Sequence, residues 1–305
     1  MNKRTMLKFL FVFVILNNYQ ISYSSECPNV IAVKKNKYLY DFILNQDGTP
    51  TQALLDILEA TKVEHNGTLS NIVKLTQEKW IRKPSTERWQ MEEIDGLDKN
   101  AMLEKLNKIN SVKEVAPQEE HYDYVLLLGA AAPRVKSRLD YLLELWNEGI
   151  SFDKVVLLGS DRVLDSKIES EEIILELCPN TNNRKLPKNE IELLNYMYSN
   201  LPEDFKKSVQ LELVESKGTK NADGTVKRAT TGDTIIDWLK NSPVEGSCLA
   251  ISNAPFTGYQ DSVLRTFLPK EFSLETAGHK AGEITVAVYL DNLARWLYQE
   301  QIRRK

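Results

Sequence analysis

The chain has 305 residues, 42% of them hydrophobic, which is enough for one large α/β domain with or without an appendage and for a substantial buried core. Its 39 basic and 43 acidic residues are interspersed and sum to a formal charge of −4, a balance that argues against a nucleic-acid coat. Three cysteines, with no CxxC pair and no metal-like spacing, speak against a structural zinc site and allow one intrachain disulfide at most.

The first residues read differently from the rest. Lys3, Arg4 and Lys8 precede and enter the apolar run Phe9 to Leu16, and Ser22, Ser24 and Ser25 follow. This is the layout of a secretory signal peptide, with cleavage expected after about Ser24; an uncleaved anchor is the alternative. The run is far short of the ~20 apolar residues that a membrane-spanning helix requires. Cleavage would remove three basic and no acidic residues and move the charge from −4 to −7. Cys27 follows Ser-Ser-Glu, which argues against a lipid at that cysteine, and Cys248, opening "CLAIS", is expected to be a buried thiol. "NGT" at Asn66 is a glycosylation acceptor only in a eukaryotic secretory pathway.

Residues 25 to 118 are polar and helical in pieces. "TQALLDILEAT" and "NAMLEKLNKI" carry apolar residues at three- and four-residue steps and predict a separable helical lobe. "EVAPQEEH", residues 114 to 121, breaks the periodicity and marks the junction. Beyond it come strand-length runs rich in Val, Leu and Ile: "YVLLLG" (124 to 129), "KVVLLGS" (154 to 160), "VQLELVES" (209 to 216) and "CLAISN" (248 to 253). Between and after them lie helical stripes: Val135, Leu139, Leu142, Leu143 and Trp146; Ile191, Leu194, Met197 and Leu201; Val286, Leu290, Leu293 and Leu297. Strands buried on both faces and alternating with amphipathic helices predict a doubly wound, mainly parallel, Rossmann-like sheet over residues 119 to 305. The polar insertion "KGTKNADGTVK", residues 217 to 227, is expected to be a mobile loop.

No GxGxxG, GxxxxGK[ST], HExxH or GxSxG motif is present, so dinucleotide, P-loop, zincin and hydrolase readings lose their main support. What remains is a set of polar residues at predicted strand ends, which a parallel sheet would bring to one edge. Gly129 ends the first strand, three alanines keep the backbone approachable, and Pro133 suits a helix start. Free amides there, with Arg134 and Arg138 on the first turns, suit a phosphate or carboxylate. Arg138 is expected on the helix face away from Leu139 and Leu142. Ser160, Asp161 and Arg162 follow the second strand, Glu215 and Ser216 the third, and Ser252 and Asn253 the last, while Thr231 and Asp233 precede "IIDWLK".

Each of these has a plainer alternative. "GAAAP" could be only a tight turn with solvated arginines, Thr231 or Asp233 a helix cap, Asp161 and Arg162 a loop ion pair. Glu171 and Glu172 read as a solvated helix face, and His279, in a glycine-flanked loop, as a general base or an incidental histidine. His65 and His121 have no companions that suggest metal. Nothing in the spacing selects a triad of Ser160, His279 and Asp161.

The order of features over about residues 120 to 300 resembles the YdcF/SanA/ElyC-like family of envelope-associated Rossmann-like domains. "VLLLGAAAPRVKSR" is similar to that family's strand, glycine turn and helix arginine, with Arg138 in the arginine's place. "VVLLGS" followed by "ESEE" puts Glu171 or Glu172 at its acidic position, and "LVES" with "TTGDT" puts Glu215, Thr231 and Asp233 at its later polar ones. Thr234 stands where the family has an asparagine. Arg265 matches its late arginine, but Phe256, Tyr259 or Gln260 occupies the region of the histidine before it, which would imply binding without turnover. The resemblance implies envelope-related roles, with S-adenosylmethionine or a phosphate-bearing lipid or nucleotide as candidate ligands.

Together these observations predict an exported protein that holds an anionic small molecule. Gly129 and nearby amides would take the anion and Arg138 would neutralise it, with Arg134, Ser160, Arg162, Thr231, Asn253 and Arg265 completing the site. Asp161, Glu215 or Asp233 would hold hydroxyl groups or act as acid or base. Transfer or hydrolysis at a phosphate or glycosyl group is then the expected chemistry over redox. The alternative is a non-catalytic envelope or host-interaction protein that meets a protein partner through the helical lobe. Neither reading involves a metal, nucleic acid or a membrane span after cleavage.

Overall fold

The computed structural model describes residues 38–84, 86–179, 185–221 and 224–305; the basic, apolar and serine-containing N-terminal stretch and Cys27 lie outside the described residues. The apolar runs after the 114 to 121 junction become parallel strands. β1 (His121–Leu128), β2 (Ser151–Ser160), β3 (Gln210–Ser216), β6 (Ser247–Asn253) and β7 (Ser273–His279) form a five-stranded, all-parallel sheet in the order β3-β2-β1-β6-β7. Two-residue strands β4 (Thr219–Lys220) and β5 (Val226–Lys227) make a separate antiparallel pair. The fold is α/β and Rossmann-like.

Helices α4 (Ala132–Asn147), α5 (Glu171–Leu177), α6 (Glu190–Tyr198) and α7 (Glu203–Ser208) follow β1 and β2, α8 (Thr231–Leu239) follows β5, α9 (Thr257–Phe267) follows β6 and α10 (Val286–Arg303) follows β7. The strands alternate so that both faces are apolar. Val125, Leu127, Val155, Leu157, Leu249 and Ile251 pack under α4 and α6, while Tyr124, Leu126, Leu128, Val156, Leu158 and Ala250 pack under α8 and α9. Cys248 and Cys178 are both buried, and burial pushes the Cys248 thiol up to about 12.

Upstream lie α1 (Gln52–Ala60), α2 (Leu69–Trp80) and α3 (Lys99–Lys108), started by the side chains of Thr51, Thr68 and Asp98. Their apolar faces do not close on one another as an isolated lobe. Leu54, Ile57, Leu58, Ile72, Met102 and Leu106 share one core with Tyr289, Leu290, Leu293 and Leu297 of α10, and Lys37–Lys305 is one compact unit. α10 serves two sides and is buried nearly all round: on its far side Trp296 fills the space above Gly258 of α9 and donates to Ser262 Oγ at 2.9 Å. No helix among the described residues is long and apolar enough to cross a membrane.

Three expectations change. β7 is a strand, although "SLETAGH" is too polar to read as one; it is an edge, and His279 is its last residue, not part of a loop. The 114 to 121 junction is not a free linker, since Val115 and Gly278 exchange backbone hydrogen bonds of 2.9 Å in each direction and cover that edge. The 217 to 227 insertion is paired through β4 and β5, and Gly218 N donates to Asp161 Oδ1 at 2.9 Å.

The shared core has a measurable consequence. Truncating Leu297, fully buried in it, to alanine should cost about 2–5 kcal/mol. Chemical denaturation should show one transition for helices and sheet together; two resolved transitions in the wild type would show that α1 to α3 fold apart.

Candidate functional site

From β1 the chain moves outward to β2 and β3 on one side, and β6 and β7 lie on the other, so the strand order reverses between β1 and β6. In open parallel sheets ligands lie beyond the carboxyl ends of the strands at this point. Its walls here are residues 129 to 131, leading into α4, and residues 254 to 256, leading into α9.

Gly129 is glycine because a Cβ there would lie 2.7 Å from the carboxyl carbon of Glu190. Glu190 opens α6 and turns back to accept from Ser160 N at 3.0 Å and Ser160 Oγ at 2.7 Å. Arg162 donates to Glu190 at 3.5 Å and to both oxygens of Glu169 at 2.7 and 2.9 Å. The Glu169 carboxylate is 0% exposed and also accepts from Ala132 N, in the first turn of α4, at 3.2 Å. The helix start foreseen as a free anion site therefore already holds the protein's own carboxylate. The amides of Ala130 and Ala131 have no acceptor among the described residues.

Arg138 is 2% exposed, which overturns its placement on an outer face. Nε donates to Asn253 Oδ1 at 3.2 Å, and Nη1 donates to the carbonyls of Leu128 at 2.6 Å and Gly129 at 3.0 Å. It thus ties the end of β1 to the end of β6. Nη2 has no acceptor among the described residues. Desolvation first, then the charge of Arg134, pushes Arg138 down to about 9, with Glu190 opposing.

Arg134 has no hydrogen-bonded or ion-paired partner for its guanidinium among the described residues; the group lies 4.6 Å from the Phe256 ring centroid. Desolvation, then the charges of Arg88 and Arg82, pushes it down to about 10. Arg88 lies 4.8 Å from the same ring but is paired with buried Asp291 at 3.2 Å. It belongs to a strap, residues 82–84 and 86–93, that the sequence did not single out. The strap crosses the carboxyl edge of the sheet: Arg82 N reaches Asp291, Trp89 lies against Lys167 after β2, Glu93 accepts from Val286 N at 2.8 Å, and Arg228 after β5 approaches Glu87.

The fold thus brings Gly129, Arg134, Arg138, Ser160, Arg162 and Asn253 together. Four other candidates lie toward the β3 edge: Asp161 holds Gly218 of the insertion, Glu215 is exposed, the Thr231 carbonyl accepts from Thr234 within α8, and Asp233 forms a capping box with Thr230. Arg265 is apart from the site, bound to Asp261 at 2.8 Å and to the Leu274 carbonyl at 2.7 Å. His279, on β7, is three strand spacings, about 14 Å, from β2 and Ser160, so no triad forms. Glu171 and Glu172 are exposed, and nearby Glu169 enters the site instead. His121 does gain companions, with ligand atoms of Asp123 and Asp153 within 4.8 Å of one another, but this is the opposite edge and Asp123 is taken by Ser247 N and Oγ.

No family model matches the chain, and neither does any curated protein or solved structure. The site is read from its own geometry.

Two substitutions test that geometry. Arg138→Met leaves two strand-end carbonyls and Asn253 without a donor and should cost about 3 kcal/mol by chemical denaturation, where a surface arginine would cost almost nothing. Glu169→Ala removes the main partner of Arg162 and should also cost about 3 kcal/mol.

Proposed function

We propose that the chain is an exported Rossmann-like protein of the YdcF/SanA/ElyC type that binds an anionic small molecule in the crevice between β1 and β6. The observation that carries this reading is Arg134, a half-buried guanidinium with no carboxylate partner among the described residues, packed on Phe256 next to two further arginines. Burying a cation without a counter-charge is costly, and a bound anion would offset that cost. Arg138 Nη2 and the amides of Ala130 and Ala131 supply further donors at the same place.

Binding is better supported than turnover. Of the three acids considered for acid–base work, Asp161 and Asp233 accept backbone hydrogen bonds and Glu215 is exposed beside the sheet edge. A partner-binding role for the helical region is less supported, because the apolar faces of α1 to α3 are covered by α10. Envelope metabolism is the setting that the N-terminal signal layout suggests.

Native mass spectrometry of protein purified without denaturation should reveal a retained anion. Arg134→Gln should lower the affinity for it at least tenfold, as expected for a charge-assisted contact worth about 1.5–3 kcal/mol. It should leave the melting temperature of the empty protein unchanged or slightly raised, since the Arg134 guanidinium makes no hydrogen bond to the described residues. Wild-type affinity in this variant would overturn the reading. N-terminal sequencing of protein from the native host should find a start near Ser25; intact Met1 on cytosolic protein would remove export from it.

A further inference from the structure

The arginines around the crevice can be taken one by one, leaving to solvent the exposed Arg228, which approaches Glu87 at 3.9 Å. Arg82 faces Glu87 at 3.1 Å, and Arg88 and Arg295 share Asp291 at 3.2 and 2.9 Å. Arg162 is shared by Glu169 and Glu190. The extra positive charge around Asp291 is matched by the extra negative charge around Arg162. Two positive charges remain, on Arg134 and Arg138, and neither guanidinium has a carboxylate hydrogen-bonded to it among the described residues.

We infer that the ligand of this crevice is a dianion, the terminal phosphate monoester of a soluble molecule; this rests on the anion-binding reading above. A phosphate monoester carries a charge of about −1.5 to −2 at neutral pH and three strong acceptor oxygens. A carboxylate or phosphodiester carries one charge and would leave one of the two arginines uncompensated. The donors available match three acceptor oxygens in kind: Arg138 Nη2, the Arg134 guanidinium, and the amides of Ala130 and Ala131. Phosphate on backbone amides beside a helix start, backed by arginine, is a recurrent mode of recognition. Phe256 is not free to stack on a ligand ring, since Arg88 and Arg134 already lie over it. The strap over the carboxyl edge of the sheet decides between sources of the phosphate, because a headgroup embedded in a bilayer could not pass beneath residues 87 to 91 while a soluble ester could.

Methyl phosphate and dimethyl phosphate, which differ by one charge at the same phosphorus, provide the test. Isothermal titration of the wild-type protein at pH 8 should show methyl phosphate bound at least tenfold more tightly. Arg134→Gln should remove that advantage, and its circular dichroism and melting temperature should confirm that it is folded. If the two esters bind equally and Arg134→Gln weakens both, the crevice binds anions but the dianion assignment fails. If neither ester binds at millimolar concentration, or if Arg134→Gln binds methyl phosphate as the wild type does, the anion-binding reading fails with it. Cosedimentation with phosphatidic-acid vesicles that methyl phosphate competes away would place a bilayer headgroup in the crevice and overturn the soluble assignment.

Discussion

Arg138 uses three hydrogen bonds to join the last carbonyls of β1 to Asn253 at the end of β6. Those two strands are the neighbours between which the sheet reverses its order, and their ends would otherwise present carbonyls to a gap with no donor. The guanidinium closes that gap from within. Once it is there, the buried positive charge must be balanced from outside the strands, and Glu190, which comes from that side, is what keeps Gly129 free of a side chain. The crevice is thus a by-product of the same bond that holds its walls together.

Balancing charge also explains the acids. Glu169 and Glu190 reach the strand ends from the connection after β2, one at the first turn of α4 and one beside Gly129, and Arg162 sits between them. The Coulombic gain of that trio is offset by desolvation, so its main effect is to fix positions more than to add stability. On the other wall, Asp291 gathers Arg88, Arg295 and the backbone of Arg82 onto α10. Arg134 shares the Phe256 ring with Arg88 and feels the charges of Arg88 and Arg82, yet its guanidinium is bonded to neither anchored group.

Much of this was legible in the sequence where the physical signal was local. β1, β2 and β6 announced themselves as short runs of Val, Leu and Ile because both faces of the sheet interior are buried, β3 by its Leu and Val residues although as an edge it leaves Leu211 and Leu213 exposed, and Gly129 with the proline-led helix marked where the first strand ends. β7 was hidden because an edge strand carries polar residues such as Glu275, which here accepts from Tyr122 Oη at 2.8 Å. Glu169 could not be told from Glu171 and Glu172 by composition, since which acid is buried depends on tertiary packing; Ser170, which caps α5, was the local clue that the helix starts after it. Arg138 was misplaced because a helix periodicity ranks apolar residues and says nothing of a cation drawn inward by carbonyls. Arg265 and Asp233 matched a motif by order alone, while Asp261 four residues before the one and Thr230 three before the other were the nearer partners.

The crevice has one wall from the middle of the chain and a roof whose anchor comes from its last helix. Residues 82 to 93 are synthesised early, yet Asp291 and Val286, which hold them, emerge from the ribosome only after every strand of the sheet. A growing chain can therefore assemble the sheet around Arg138 while the strap is still unanchored. Completion of the roof waits until α10 has left the ribosome.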